Sequence, residues 1–261
     1  MPGTESRVLP PFFWSPDSQF IVYDSGGALK KVAIAGGPPE KICDVDTFAI
    51  GGSWNRDNVI IFGSFFGPLM RVSGGAALPL TQLDASRQEI SYAYPVFLPD
   101  GRHFIFSGVG FAKKYVHIGS LDSKPEEQNS RQLLESLCQY TYIPPQDSIP
   151  GFLLFLRGRA LMAQQFNDRE LELVGEPAQI VEQVGIFSTY YAFYSASANG
   201  ILVYRTGGSQ LSQATWFDRD GKPKGTAGEP SIFYGLSISS PENFGRHAGF
   251  ERRRDGRALA R

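Results

Sequence analysis

The stretch FFWSPDSQFIVYDSGGALKKVAIAGG, residues 12–37, decides the fold. Two phenylalanines and Trp14 lead into Ser15-Pro16-Asp17, a strand-like run follows, and a second run closes on Gly36-Gly37. Proline presets the second position of a turn, and aspartate then bonds the local backbone and tolerates unusual angles. The flanking runs are β-branched and aromatic, which suits short strands. Four strands are expected in this unit, at residues 11–14, 20–23, 29–33 and 40–43. AGGPP at 35–39 separates the third from the fourth.

Working outward, the same unit returns. GSWNRDNVIIFGSFFGPLMRVSGG at 52–75 and PVFLPDGRHFIFSGVGFAKKYVHIGSLDS at 95–123 are clear copies. YIPPQDSIPGFLLFLRGRALMAQQFN at 142–167 is a worn copy, and AFYSASANGILVYRTGGSQLSQATWFDRDG at 192–221 is a fifth. A sixth start at 234–243 opens correctly and then loses the pattern. With Asp17, Asp57, Asp100, Asp147, Asn199 and Glu242 as rulers, the gaps are 40, 43, 47, 52 and 43 residues. A period in the forties built of strand-turn-strand units is that of one propeller blade per repeat. The runs FIVY, VIIF, HFIFS, FLLFL and ILVY lack clean alternation, as middle strands covered on both faces would. SRQLLESLCQY at 130–140 has helical propensity, but its place in the repeat makes it an outer strand. The expected fold is an all-β propeller of four-stranded blades, with five recognisable blades and partial blades at both ends.

Bulk composition narrows the function classes. A formal charge of -1 offers no field for nucleic acid or an anionic membrane. The longest apolar run, GFLLFL at 151–156, is far short of a membrane span, and MPGTESRVLPPFFW lacks the pattern of a signal peptide. The chain therefore reads as soluble. Cys43 and Cys138 stand apart with no Cys-x-x-Cys pair, and each reads as a small buried apolar residue. From 239 to 261 only six of 23 residues are apolar, so GRHAGFERRRDGRALAR is expected to form a separate basic tail, disordered or frame-disrupted, after a propeller spanning 1–238.

WSPDS and FLPDGRHF resemble the Ser-Pro-Asp-Gly mark of TolB-type propeller blades, and WNRDN and SANG match it in part. GGALKKVAIAGGPPEKICD, GFLLFLRGRALMAQQFNDRELELVGEPAQIVEQVG and VYRTGG with ATWFDRDGKPKGTAGEP are similar to the C-terminal propellers of bacterial eukaryotic-like serine/threonine kinases. The resemblance covers residues 1–238. It implies a sensor module outside the cytoplasm, in the periplasm, joined in that family to a kinase domain through one membrane helix. Here the His-Arg-Asp loop, the Asp-Phe-Gly motif, the glycine-rich loop with its lysine and the membrane helix are all missing, so the chain looks like part of such a propeller.

No linear motif carries chemistry. GVGFAK at 108–113 lacks the third glycine and the following helix of a phosphate loop and reads as a hairpin loop. DRDG at 218–221 lacks the later ligands of a calcium loop and reads as a turn. GGSQL at 207–211 lacks the last glycine of a nucleophile elbow. His103 is expected at the surface and His117 to be a satisfied structural residue in a strand. Neither groups with His247 into a metal site. Trp14, Trp54 and Trp216 read as packing anchors, and ERRRDGR at 251–257 as a solvated charge run. The expected function is a non-catalytic protein-interaction or ligand-sensing module without cofactor or metal, its partner held on the loops or in the channel. Two alternatives stand beside it: a propeller gating a prolyl-oligopeptidase-type peptidase encoded elsewhere, and a periplasmic TolB-like assembly protein.

Overall fold

The first repeat folds into an antiparallel sheet of β1 (Phe13–Trp14), β2 (Phe20–Asp24), β3 (Ala28–Ala33) and β4 (Glu40–Asp44), hydrogen-bonded in that order. The computed structural model describes residues 12–110, 114–128, 131–136, 139–187, 191–197, 201–206, 212–217, 222–231, 250–252 and 258–260. The expectations for residues 1–11, Cys138, the 207–211 and 218–221 motifs, the sixth start, His247 and most of the basic tail lie outside the described residues.

Three further sheets repeat the order. They are β5 (Ala49–Trp54), β6 (Ile60–Ser64), β7 (Met70–Ser73) and β8 (Ala76–Pro79); β9 (Glu89–Phe97), β10 (His103–Gly110), β11 (Lys114–Ser120) and β12 (Arg131–Glu135); and β13 (Thr141–Ile143), β14 (Phe152–Arg157), β15 (Ala160–Asn167) and β16 (Glu172–Val181). Within the 130–140 stretch, Arg131–Glu135 is the outer strand β12, as its place in the repeat requires. Beyond these sheets, the described residues form four two-stranded antiparallel pairs: β17 (Ile186–Phe187) with β18 (Tyr191–Ala192), β19 (Tyr194–Ala196) with β20 (Leu202–Tyr204), β21 (Ser212–Phe217) with β22 (Pro223–Ser231), and β23 (Phe250–Arg252) with β24 (Ala258–Ala260). The fold is an all-β propeller with four complete four-stranded blades and partial strands beyond them.

Local chemistry makes each turn. Asp17 accepts from the Gln19 amide, Asn55 from the amides of Asp57 and Val59, and Asp100 from those of Arg102 and His103. The last turn position is left-handed in all three copies, filled by Ser18, Asn58 and Gly101 at φ 57°, 61° and 70°. His103 sits there half-buried, its Nδ1 2.5 Å from Asp100 Oδ2, beside the Arg102–Asp122 ion pair.

Each seam between blades has its own apolar cluster, and period-two geometry in the second strands explains how one strand serves two seams. Ile60 and Phe62 of β6 join Val22, Leu29 and Val72 in the seam between blades one and two. Val59 and Ile61 turn the other way, toward Tyr92, Phe104 and Phe106 between blades two and three. Ile105 of β10 meets Leu153 and Phe155 of β14 in the next seam, while Leu154 and Leu156 face Ala192 and Tyr194. Inner strands lie side by side, β1 against β5, β5 against β9 and β13 against β19. Gly63 lets them approach: a Cβ there would stand 2.6 Å from the carbonyls of Ile50 and Tyr92. Polar staples add to the stacking. Tyr140 donates to the Tyr94 carbonyl, and the Gln139 amide makes two 2.6 Å hydrogen bonds with the Ala192 backbone.

Two expectations about packing differ. Trp14 is 49% exposed, not a buried anchor, whereas Trp54 packs half-buried against the cluster between blades one and two, its indole N–H on Asn58 Oδ1. The fifth run, ILVY, exposes Ile201, Val203 and Tyr204, because β20 has only β19 as a partner among the described residues and a middle strand is buried only when both neighbours are present.

Candidate functional site

The first two blades part at one end of their seam. The opening lies where β4 leaves blade one through residues 45–48 and where β6 turns into β7 through residues 65–69. It is a cleft of about 480 Å³, within the range of small-molecule pockets. Phe62, Met70 and Ala77 give it an apolar floor, and Asp44, Asp46 and Thr47 line it from the blade-one side. The lining holds no lysine, arginine or histidine.

The mouth is set by short-range backbone bonds. Val45 donates to the Gly27 carbonyl, Phe65 to the Phe48 carbonyl, and Ala49 to the Asp24 carboxylate at 2.9 Å each. Burial pushes the Asp24 carboxyl up, and the Ala49 amide offsets part of that. Phe66, which lines the cleft, is 65% exposed and stands at φ 58° in the left-handed region, where a bulky side chain is a rare occupant. Its ring meets Phe65 edge-on at 4.2 Å between centroids. Asp44 pairs with Lys41 at 2.6 Å, with both side chains mostly in solvent. Cys43 is a free, buried thiol whose pKa is raised by burial and then by the Asp44 charge, with Lys41 opposing; a thiol held protonated is a packing group, not an activated nucleophile.

The adjacent seam is sealed by a polar cluster that no sequence motif marks. His117 is fully buried, its Nε2 3.1 Å from Glu89 Oε1, and Tyr92 donates to Glu89 Oε2 at 2.6 Å. Phe106 stacks on the imidazole at 5.2 Å. Burial alone would raise the Glu89 carboxyl, but hydrogen bonds from His117 and Tyr92, with the charges of His117 and Arg87, hold it below its ordinary value. Gly108 makes room, since a Cβ there would lie 2.5 Å from Glu89 Oε1 and 2.7 Å from His117 Nε2. His117 is thus a core histidine as expected, but only half satisfied: its Nδ1 has no hydrogen-bond partner. Among the described residues no group of three or more His, Cys, Asp and Glu side chains could hold a metal ion. No helix among them is long and apolar enough to cross a membrane.

The cleft residues were not picked out by sequence reading. One signal was available: SFFGP at 64–68 sets two adjacent aromatics in a turn, where burial cannot account for them.

No family model and no curated protein matches the sequence. Solved structures do match the fold. The chain is similar to a calcium-binding protein, regucalcin, from Agrobacterium tumefaciens, at TM-score 0.57 and 12% identity over 85% of this chain and 75% of that one. A provisionally assigned gluconolactonase matches at TM-score 0.51 and 15% identity over 91% and 83% of the two chains. Luciferin-regenerating enzyme matches at TM-score 0.52 and 8% identity over 87% and 77%. At these identities the likeness is one of fold, a β-propeller.

The expectation that the chain is not an enzyme is not upheld, because luciferin-regenerating enzyme and a provisionally assigned gluconolactonase are among the solved structures that share its fold. The kinase motifs and the nucleophile elbow are particular linear signatures, and their absence does not decide whether the chain catalyses a reaction. On a propeller, reacting groups are assembled from loops of several blades, so no contiguous motif need announce them.

Proposed function

We propose that this chain is a ligand-recognition propeller, spanning residues 1–238, that holds a small molecule in the cleft between its first two blades. The observation that carries this reading is the cleft itself: a seam left open by about 480 Å³ beside a sealed one, with an exposed aromatic held at its mouth in a costly backbone conformation. Strained residues concentrate at ligand clamps, where the surrounding structure over-determines them. The resemblance of the long repeat motifs to kinase-associated propellers supports a sensory role outside the cytoplasm, in which occupancy of the cleft is passed to a signalling partner.

The test is a ligand-observed NMR screen of a small-molecule library, run in parallel on the wild type and on Ala76→Trp. Ala76 is exposed and lines the cleft, so the indole would fill it without entering the core. Hits that vanish in Ala76→Trp are expected. Hits that bind both proteins alike would overturn the reading. Mass spectrometry of each hit after incubation reports whether it is released unchanged or converted.

A further inference from the structure

Granted the proposed cleft, its charge and surface select a ligand class. We infer that it takes an organic cation: an alkyl- or arylammonium whose nitrogen is held by the carboxylates of Asp44 and Asp46 and whose apolar body lies against Phe66, above Phe62 and Met70.

Two observations point to this class, and a third places the ligand between blades. The first is charge. Two aspartates line the cleft and no basic side chain does. An anion would meet two carboxylates and no basic side chain there, and a neutral apolar molecule would strip their water without replacing it. The neighbouring cation, Lys41, is tied to Asp44 by an exposed ion pair, a contact that competes weakly with an incoming ammonium. Asp46 is exposed, and no hydrogen bond or ion pair engages it among the described residues.

The second is the kind of surface that faces those carboxylates. Aromatic faces attract cations, and ammonium ligands are recognised where rings and carboxylates share one pocket. Phe66 presents its ring to solvent at the cleft, while Phe62 lies in the floor at 1% exposure. Met70 supplies a polarisable thioether beside them.

The third is position. The carboxylates come from the end of β4 and the segment after it, the aromatic from the β6–β7 turn of the next blade. A ligand touching both would bridge two blades, which is the placement a sensor needs to report occupancy through blade packing.

The decisive experiment is a calorimetric or NMR titration with three probes of one shape: phenethylammonium, phenethyl alcohol and phenylpropionate. Phenethylammonium is expected to bind, to weaken about tenfold in Asp46→Asn, to recover in Asp46→Glu, and to lose affinity severalfold as salt rises from low to high. Phenylpropionate is expected not to bind. If the alcohol or the acid binds in an Ala76→Trp-sensitive way and the ammonium does not, the cation class falls while the cleft stands. If Asp46→Asn leaves ammonium affinity unchanged, the carboxylate assignment falls. If the ammonium binds wild type and Ala76→Trp equally, the cleft reading fails with it. If none of the three binds while other library hits do, the inference is overturned and the cleft kept.

Discussion

The seam between blades one and two and the seam between blades two and three are made of equivalent strands, yet the first opens into a cleft and the second is packed shut. Their connections differ. Blade one passes to blade two through residues 45–48, whereas blade two passes to blade three through residues 80–88, which include a 3₁₀ turn at Ala85–Arg87 capped by Asp84. That longer passage lies over the seam: Leu80 and Thr81 are buried, Leu69 donates to Thr81 Oγ1, and Asp84 N–H donates to the Tyr92 hydroxyl. Beneath it, His117, Glu89, Tyr92 and Phe106 fill the space that small residues such as Ala76 and Ala77 leave open next door. The repeat supplies the frame, and the filling of each seam decides whether it serves stability or binding.

The sharpest way to break the comparison is to empty the sealed seam. His117→Ala removes a fully buried ring and leaves Glu89 without one of its two side-chain partners, and is expected to cost about 3–5 kcal/mol in urea denaturation. A loss under about 1 kcal/mol would mean that the polar cluster does not hold the seam. Gly108→Ala comes next. Its methyl would press on Glu89 and His117, for an expected cost of about 1–3 kcal/mol by overpacking.

A pH profile is the third test. The folded value of Glu89 lies below its ordinary 4.5, so its contribution is complete above that pH and is lost as pH falls through the lower folded value. Urea midpoints should therefore drop below pH 4.5 more steeply in wild type than in Glu89→Gln; parallel profiles would remove Glu89 from the account. The smallest effect belongs to the open seam. Phe66→Gly should raise stability by about 0.5–1 kcal/mol, because glycine occupies the left-handed region without penalty, while weakening ligand binding. A destabilised variant would show that Phe66 packs to hold the seam and does not stand ready for a ligand.

Much of this was legible beforehand. The four strands expected in residues 11–43 fall within a residue or two of β1 to β4, because Ser-Pro-Asp turns and β-branched runs act locally. VIIF, HFIFS and FLLFL were read as strands covered on both faces, and their residues from Val59 to Phe62, Phe104 to Ser107 and Leu153 to Leu156 are buried. The cleft was not legible. Asp46 and Phe66 are far apart in the chain and on different blades, and neither belongs to a spacing that chemistry requires. The Glu89–His117 pairing, across strands β9 and β11, was hidden for the same reason. Trp14 shows the converse error, in which residue type suggested burial and position in the blade denied it.

By itself, then, the sequence determined the blade, its turns and its period, since those rest on interactions between residues close in the chain. Tertiary structure alone decided which seam closes and which stays open. That outcome depends on how the side chains of one blade fill the space left by the next, and on whether the passage between blades is long enough to cover the gap.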